Sequence, residues 1–205
     1  MSYIGSKPAN KPVVASDLDP TIITGQTALA TSPADTDEFL ISDAGVLKRL
    51  DASLIGGTNT PAFSVHASAG QTGLASGSFV KIVFGTELLD TDNTFATNRF
   101  TVPSGGAGTY HFSSNLVLQA SAGASELLQA NGAFYKNGSI YAQTGRFDGR
   151  NAGYSRETAL NGSLTVTLAE DDYIEIYGLV VTANGTGEVN YGDKAARFSG
   201  YKILT

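Results

Sequence analysis

The chain's only imidazoles are His66, in SVHAS, and His111, in TYHFS, so any histidine general base or metal ligand is one of these two. Cysteine is absent, and neither histidine has a second one three or four residues away, so the ligand spacing of a zinc site is missing. His111 alternates with Tyr110 and Phe112, which turns its side chain to the face opposite theirs. Glycoside hydrolysis needs two carboxylates held across a cleft. Asp171 and Asp172 are instead adjacent at a turn into a strand, where neighbouring side chains diverge. DTDNTF (90–95) begins like a calcium loop, but Phe95 stands where that loop needs glycine and no glutamate closes it. The glycine cluster in FTVPSGGAGTYHF (100–112) is the remaining candidate, as a phosphate cradle. A cradle feeds a helix N-terminus, whereas Tyr110, Phe112, Leu116 and Leu118 continue with a period of two, so the cluster is a link between strands. No nucleophile elbow, P-loop or dinucleotide fingerprint occurs. The expectation is a chain with no catalytic residue, no metal site and no cofactor.

Recognition chemistry is better represented. GRFDGRNAGYSRET (145–158) gathers Arg146, Arg150, Asn151, Tyr154 and Arg156, and GEVNYGDKAAR (187–197) adds Tyr191, Asp193 and Lys194. Tyr, Arg and Asn are favoured at protein and sugar interfaces. Arg146, Arg150, Asn151, Tyr154, Tyr191 and Asp193 are therefore candidate receptor-contacting loop residues, for a host-surface glycan or protein. Asn137, Asn161 and Asn184 each begin a glycosylation-type triplet, but Asn-Gly is equally turn chemistry and no secretory leader precedes it.

The elements that must position these residues read as strands. SLTVTL (163–168) puts Leu164, Val166 and Leu168 on one face and Ser163, Thr165 and Thr167 on the other. FVKIVF (79–84) sets Val80, Ile82 and Phe84 against Phe79, Lys81 and Val83. Asn-Gly occurs at 131, 137, 161 and 184. Asn137-Gly138, flanked by AFYK and SIYAQ, predicts a tight hairpin, and the 131 and 161 pairs fit bulges inside strands. No helical stripe runs for a dozen residues. The fold class expected is all-β, a sandwich or jelly roll. Two segments are apolar on both faces. In DYIEIYGLVV (172–181) Ile174, Ile176 and Val180 oppose Tyr173, Tyr177, Leu179 and Val181, and in FSGYKIL (198–204) Phe198 and Leu204 oppose Tyr201 and Ile203. A second surface to cover such strands is most simply another copy of the chain. Tyr173, Tyr177, Leu179 and Tyr201 are the expected contacts.

Tyr3 and Phe39 are the only aromatics before residue 61, out of nine Tyr and ten Phe, so a conventional core belongs to about residues 61–205. Residues 1–34, rich in Pro, Ala, Ser and Thr, predict an extended arm, and DEFLISDAGVLKRLDASLI (37–55) predicts a small hairpin with a helical turn at 51–55. Two strands are marginal alone, so the hairpin's apolar side chains require a partner. The net charge of −6 is spread along the chain, which argues against nucleic acid, and no apolar stretch is long enough for a leader or a membrane span.

With these residues set out, residues 61–205 resemble the trimeric jelly-roll family of complement globular heads and tumour necrosis factor. PAFSV (61–65) is similar to its first strand, and FTVP (100–103) followed by Gly108, Tyr110 and Phe112 is similar to its Phe-x-x-Pro and Gly-x-Tyr-x-Phe. KNG (136–138), Leu168 with Asp172 and Ile174, and Phe198, Gly200 and Tyr201 of the closing FSGYKIL continue the likeness. The Pro103–Tyr110 interval is two residues longer than the family's usual spacing, and Asp171 stands where it commonly has glycine. The resemblance implies ten strands and three copies about a three-fold axis. MSYIGSKPA and PADTDEFLISDAGVLKRLDASLI resemble the virion-attachment segments that begin tail-fibre and related proteins of tailed phages. Together the two resemblances imply a non-enzymatic virion protein assembled in a host cytoplasm. Residues 1–58 would be an attachment arm to other virion proteins through Tyr3, Ile4, Phe39, Ile41, Leu47 and Leu50, and 59–205 a homotrimeric knob for host adhesion. A capsid decoration or head fibre without a receptor, and a saccharide-binding or depolymerising protein, are the alternatives.

Overall fold

A computed structural model of the chain describes residues 25, 27–31, 33–34, 36–55, 59–121, 126–150 and 155–203. Tyr3, Ile4, Asn151, Tyr154 and Leu204 lie outside the described residues. The chain divides into two compact units, Met1–Gly57 and Thr58–Thr205.

In the first unit, β1 (Glu38–Asp43) and β2 (Val46–Asp51) form an antiparallel hairpin. Ala44 and Gly45 turn it at φ 51° and 81°, the left-handed angles a two-residue turn needs. A single 3-10 turn, Ala52–Leu54, follows, with the Asp51 carboxylate accepting the Ser53 amide at 3.1 Å. Register pairs Phe39 with Leu50, Ile41 with Lys48 and Ser42 with Leu47. Phe39, Ile41 and Leu50 therefore share one face with Val46, whereas Leu47 joins Leu40 on the other. The odd spacing of Leu47 and Leu50 along β2 puts these two attachment-arm candidates on opposite faces. Phe39, Leu40, Val46, Leu47, Leu54 and Ile55 are all exposed.

The second unit is an antiparallel β-sandwich whose strands nest in pairs. β3 (Ala62–His66) pairs with β15 (Arg197–Lys202), β8 (Arg99–Thr101) with β13 (Tyr173–Thr182), β9 (Gly108–Ala120) with β12 (Glu157–Leu168), and β10 (Leu127–Lys136) with β11 (Ser139–Asp148). Successive pairs alternate between two sheets, joined by β15 with β9 in one and β13 with β10 in the other. That nesting is the path of a jelly roll. Five short strands complete the sheets: β4 (Gln71–Leu74), β5 (Phe79–Lys81), β6 (Thr86–Asp90), β7 (Phe95–Ala96) and β14 (Gly187–Val189). The described residues of this unit thus form thirteen strands rather than ten, because edge segments break into short ladders.

The core is aromatic. Phe63 lies at its centre, with ring centroids 4.8 Å from Phe198, 5.2 Å from Phe100 and 5.3 Å from Phe95. The alternation in β9 holds as expected, since Tyr110, Phe112, Leu116 and Leu118 are all inaccessible to solvent. β10 turns into β11 at Asn137 and Gly138, both at positive φ, as the Asn-Gly pair predicts. Asn131-Gly132 lies in β10 beside a register shift, but Asn161-Gly162 lies in an unbroken β12–β9 register and is not a bulge. There the missing side chain serves another purpose: a Cβ on Gly162 would lie 2.4 Å from Thr144 Cβ, so glycine lets β12 close on β11 where the sheet edges meet.

Candidate interaction surfaces

The residues that could have done chemistry are mostly tied up as structure. His66 is buried, with Nδ1 2.9 Å from the Ala67 carbonyl. His111 projects from the outward face of its sheet, with Nδ1 3.1 Å from Thr165 Oγ1. In the 90–95 segment Asp90 Oδ1 accepts the Thr94 amide and Oδ2 the Phe95 amide, each at 2.9 Å, so this carboxylate caps its own loop. Asp172 accepts from Lys136 at 2.8 Å, Asn137 Nδ2 at 2.7 Å and the Ala169 amide at 2.9 Å. Hydrogen bonds from Lys136 and Asn137 hold its carboxyl down to about 2. Asp171 occupies the turn itself, at φ 65°. The glycine cluster links β8 to β9: Gly105 N donates to Glu170 Oε2 at 3.2 Å, and the buried Tyr110 hydroxyl donates to the Gly106 carbonyl at 2.5 Å. Burial pushes that phenol up to about 12.

The four residues expected to meet another copy do not share a face. Tyr173, Tyr177 and Leu179 project outward from the sheet containing β13, whereas Tyr201 projects outward from the other sheet. Strand parity separates in from out along one strand, but it carries no information on which of two sheets the strand joins. On the β13 face the rings are engaged by neighbours. The Arg99 guanidinium lies 4.6 Å from the Tyr173 ring centroid, and Tyr177 stacks on Tyr135 at 3.8 Å. Lys81 pairs with the buried Glu175 carboxylate at 2.6 Å and donates to the Thr97 carbonyl at 2.7 Å. Burial raises the phenols of Tyr135 and Tyr177. Tyr201 has a different setting. It is 42% exposed, its ring centroid is 5.6 Å from His111, and the neighbouring rungs carry Ser113, Ser199, Ala62 and Thr165. It stands proud of a face of small side chains.

The two polar segments singled out for recognition meet at one rim. Asn190 Nδ2 donates to Glu157 Oε2 at 3.3 Å, and Asn190 Oδ1 accepts the Gly192 amide at 2.9 Å, which shapes the turn carrying Tyr191 and Asp193. Asp193 and Lys194 adopt φ of 51° and 59° in this turn, and Tyr191 is exposed. Arg146 on β11 and Arg150 just beyond its end both pair with Asp148, and the Arg150 hydrogen bond holds that carboxyl well below its usual range. Each arginine keeps about half its side chain in solvent.

One feature escaped the reading of sequence. Ser113, Ser114, Asn115, Thr144, Asn161, Gly162 and Ser163 line an open polar depression of 490 Å³ between β9, β11 and β12. Thr144 is the unpaired residue of a β-bulge, because Gly145 pairs with Gly132 while Gln143 pairs with Ala133. Ser114 Oγ, Asn115 Oδ1 and Thr144 Oγ1 are buried there and make no hydrogen bond among the described residues. The signal was present in the alternation: Ser114 interrupts the core series between Phe112 and Leu116, and its rung partner is Gly162.

No family model and no curated protein matches the chain. Among solved structures, the chain is similar to the globular domain of a zebrafish complement 1qA protein, at 18% identity over 71% of this chain and 98% of that one, with a TM-score of 0.48. It is also similar to murine APRIL at pH 8.0, at 11% identity over 69% of this chain and 98% of that one, with a TM-score of 0.47.

Proposed function

We propose that this chain is a non-enzymatic structural protein of a tailed-phage virion, anchored by its N-terminal unit and presenting the jelly roll as a homotrimeric knob for host adhesion. The observation that carries the anchoring is the β1–β2 hairpin. A two-stranded hairpin with exposed Phe39, Leu40, Val46 and Leu47 on its two faces has no core of its own, and such a unit gains stability by packing against another chain. The segment's likeness to virion-attachment sequences supplies the class of partner. Self-association through the face bearing Tyr201 and His111 is supported by an exposed aromatic among small side chains, which a neighbouring copy can approach closely. The rim joined by Asn190 and Glu157 presents Arg146, Arg150 and Tyr191 for receptor contact.

Light scattering on the full chain tests the assembly. A trimer gives three times the 21.2 kDa chain mass, and Tyr201→Arg shifts it towards monomer. A wild-type monomer overturns the trimer. Anchoring is tested by packaging Phe39→Asp/Ile41→Asp chains into particles of the phage that carries this protein: loss of incorporation with an unchanged knob is expected, and normal incorporation overturns it. Adhesion is tested with particles whose knob is deleted; undiminished adsorption to host cells leaves a decoration role in its place.

A further inference from the structure

The chain contains four Asn-Gly pairs, at 131, 137, 161 and 184, and this dipeptide is the one most prone to deamidation because glycine leaves its nitrogen unhindered. The structure gives the four very different access to that reaction. Asn131 is 7% exposed, in a strand paired on both sides, with its Oδ1 accepting from Gln129. Asn161 is exposed, but it lies in the unbroken β12–β9 ladder, which keeps its backbone extended, so ring closure there requires the ladder to open. Asn137 sits in an exposed turn, but its carboxamide is tied at both ends: Nδ2 donates to Asp172 and Oδ1 accepts the Tyr173 amide at 2.9 Å. Asn184 differs from all three. It lies in the exposed run 183–186 between β13 and β14, and neither its carboxamide nor the Gly185 amide makes a hydrogen bond among the described residues. Gly185 has φ +76° with nothing beyond the Thr182 hydroxyl, at 3.1 Å from its carbonyl, to hold it.

We propose that Asn184 is a site of spontaneous deamidation in the folded protein and that the other three Asn-Gly pairs are protected by the fold. The Gly185 nitrogen attacks Asn184 Cγ. The new C–N bond closes a succinimide ring as the Cγ–Nδ2 bond breaks, and ammonia leaves with the proton that was on Gly185 N. Water then opens the ring. Attack at Cγ gives aspartate, and attack at the main-chain carbonyl carbon gives isoaspartate, which lengthens the backbone by one atom. Either product adds a negative charge to a chain that already carries a net −6, and removes the asparagine of the Asn184-Gly185-Thr186 triplet. The protein therefore acquires an acidic, age-dependent form at one defined loop.

The experiment incubates the full chain in mildly alkaline buffer, folded and in denaturant, and follows each Asn-Gly peptide by mass spectrometry for exchange of NH2 by OH and for isoaspartate. In denaturant all four pairs convert at comparable rates. In the folded chain Asn184 keeps most of that rate while the other three slow at least about tenfold, since local opening must precede ring closure. Protection of Asn184 equal to that of the other three, or conversion of Asn131, Asn137 or Asn161 as fast as Asn184, overturns the proposal. Asp172→Ala, which frees one end of the Asn137 carboxamide, raises conversion at Asn137 alone; no change there removes hydrogen bonding as the source of its protection.

Discussion

Asn137 and Asp172, 35 residues apart in sequence, join two turns of the jelly roll: Asn137 Nδ2 donates to Asp172 Oδ1 at 2.7 Å. Asn137 Oδ1 in turn accepts the amide of Tyr173, so one carboxamide fastens the β10–β11 turn to the start of β13. Lys136 completes the arrangement as an ion pair to the same aspartate. Of the two adjacent acids, Asp171 makes the turn and Asp172 is the clasp.

Acid stability should depend on this clasp. The folded carboxyl of Asp172 is lowered from 3.8 to about 2, so its contribution is fully present above the unfolded value and is lost as pH falls through the folded one. Asp172→Asn should lower stability at neutral pH by about 1–3 kcal/mol, because charge-assisted hydrogen bonds are lost. It should also flatten the dependence of Tm on pH between roughly 4 and 2. Thermal unfolding across that range checks both, and an unchanged acid limb refutes the assignment.

Tyr110 contributes to the alkaline limb together with Tyr135 and Tyr177. Its phenol is raised to about 12, so folding favours the protonated form and this stability is lost as pH rises from the unfolded value of 10 through 12. Tyr110→Phe removes the donor to Gly106 and should cost about 1 kcal/mol. Ultraviolet titration should lose one late-ionising tyrosine in the variant.

Gly200 is a packing requirement. A Cβ there would lie 2.4 Å from Phe112 Cδ1 and 2.9 Å from Phe63 Cε1. Gly200→Ala should destabilise by about 1–3 kcal/mol through overpacking. In urea unfolding, combination with Phe112→Leu should cost less than the sum of the two changes, because the shorter side chain gives way.

Lys81 neutralises a buried charge. Glu175 is 5% exposed on the β13 outer face, and Lys81→Met leaves that carboxylate without its cation, which should cost about 3 kcal/mol. Lys81→Met/Glu175→Gln should recover most of the loss. Equal unfolding midpoints for single and double variants would show that the pair is not coupled.

Much of the fold was legible because strands announce themselves locally. Tyr110, Phe112, Leu116 and Leu118 keep a period of two among mostly polar neighbours, and each lands in the core. Asn137-Gly138 announces its turn because few dipeptides accept two successive left-handed residues. The surfaces were much less legible. Tyr177 and Tyr201 look equivalent as apolar residues on an outward parity, yet one is stacked under Tyr135 and the other stands beside His111 on a different sheet. The depression under Ser114 required knowing that Gly162 lies opposite it and that a bulge at Thr144 closes the third side.

The sequence by itself determined the all-β class, the in-and-out parity of the long strands, the hairpin at 38–51 and the turn at 137–138, because each depends on residues adjacent along the chain. Tertiary structure alone decided which outward faces coincide, that Asp172 is a clasp, that Gly200 makes room for Phe112, and that the Asn137 carboxamide is tied at both ends while Asn184 lies in an exposed loop. Those outcomes depend on contacts between strands distant in sequence, and a jelly roll, whose pairs nest its ends around its middle, consists largely of such contacts.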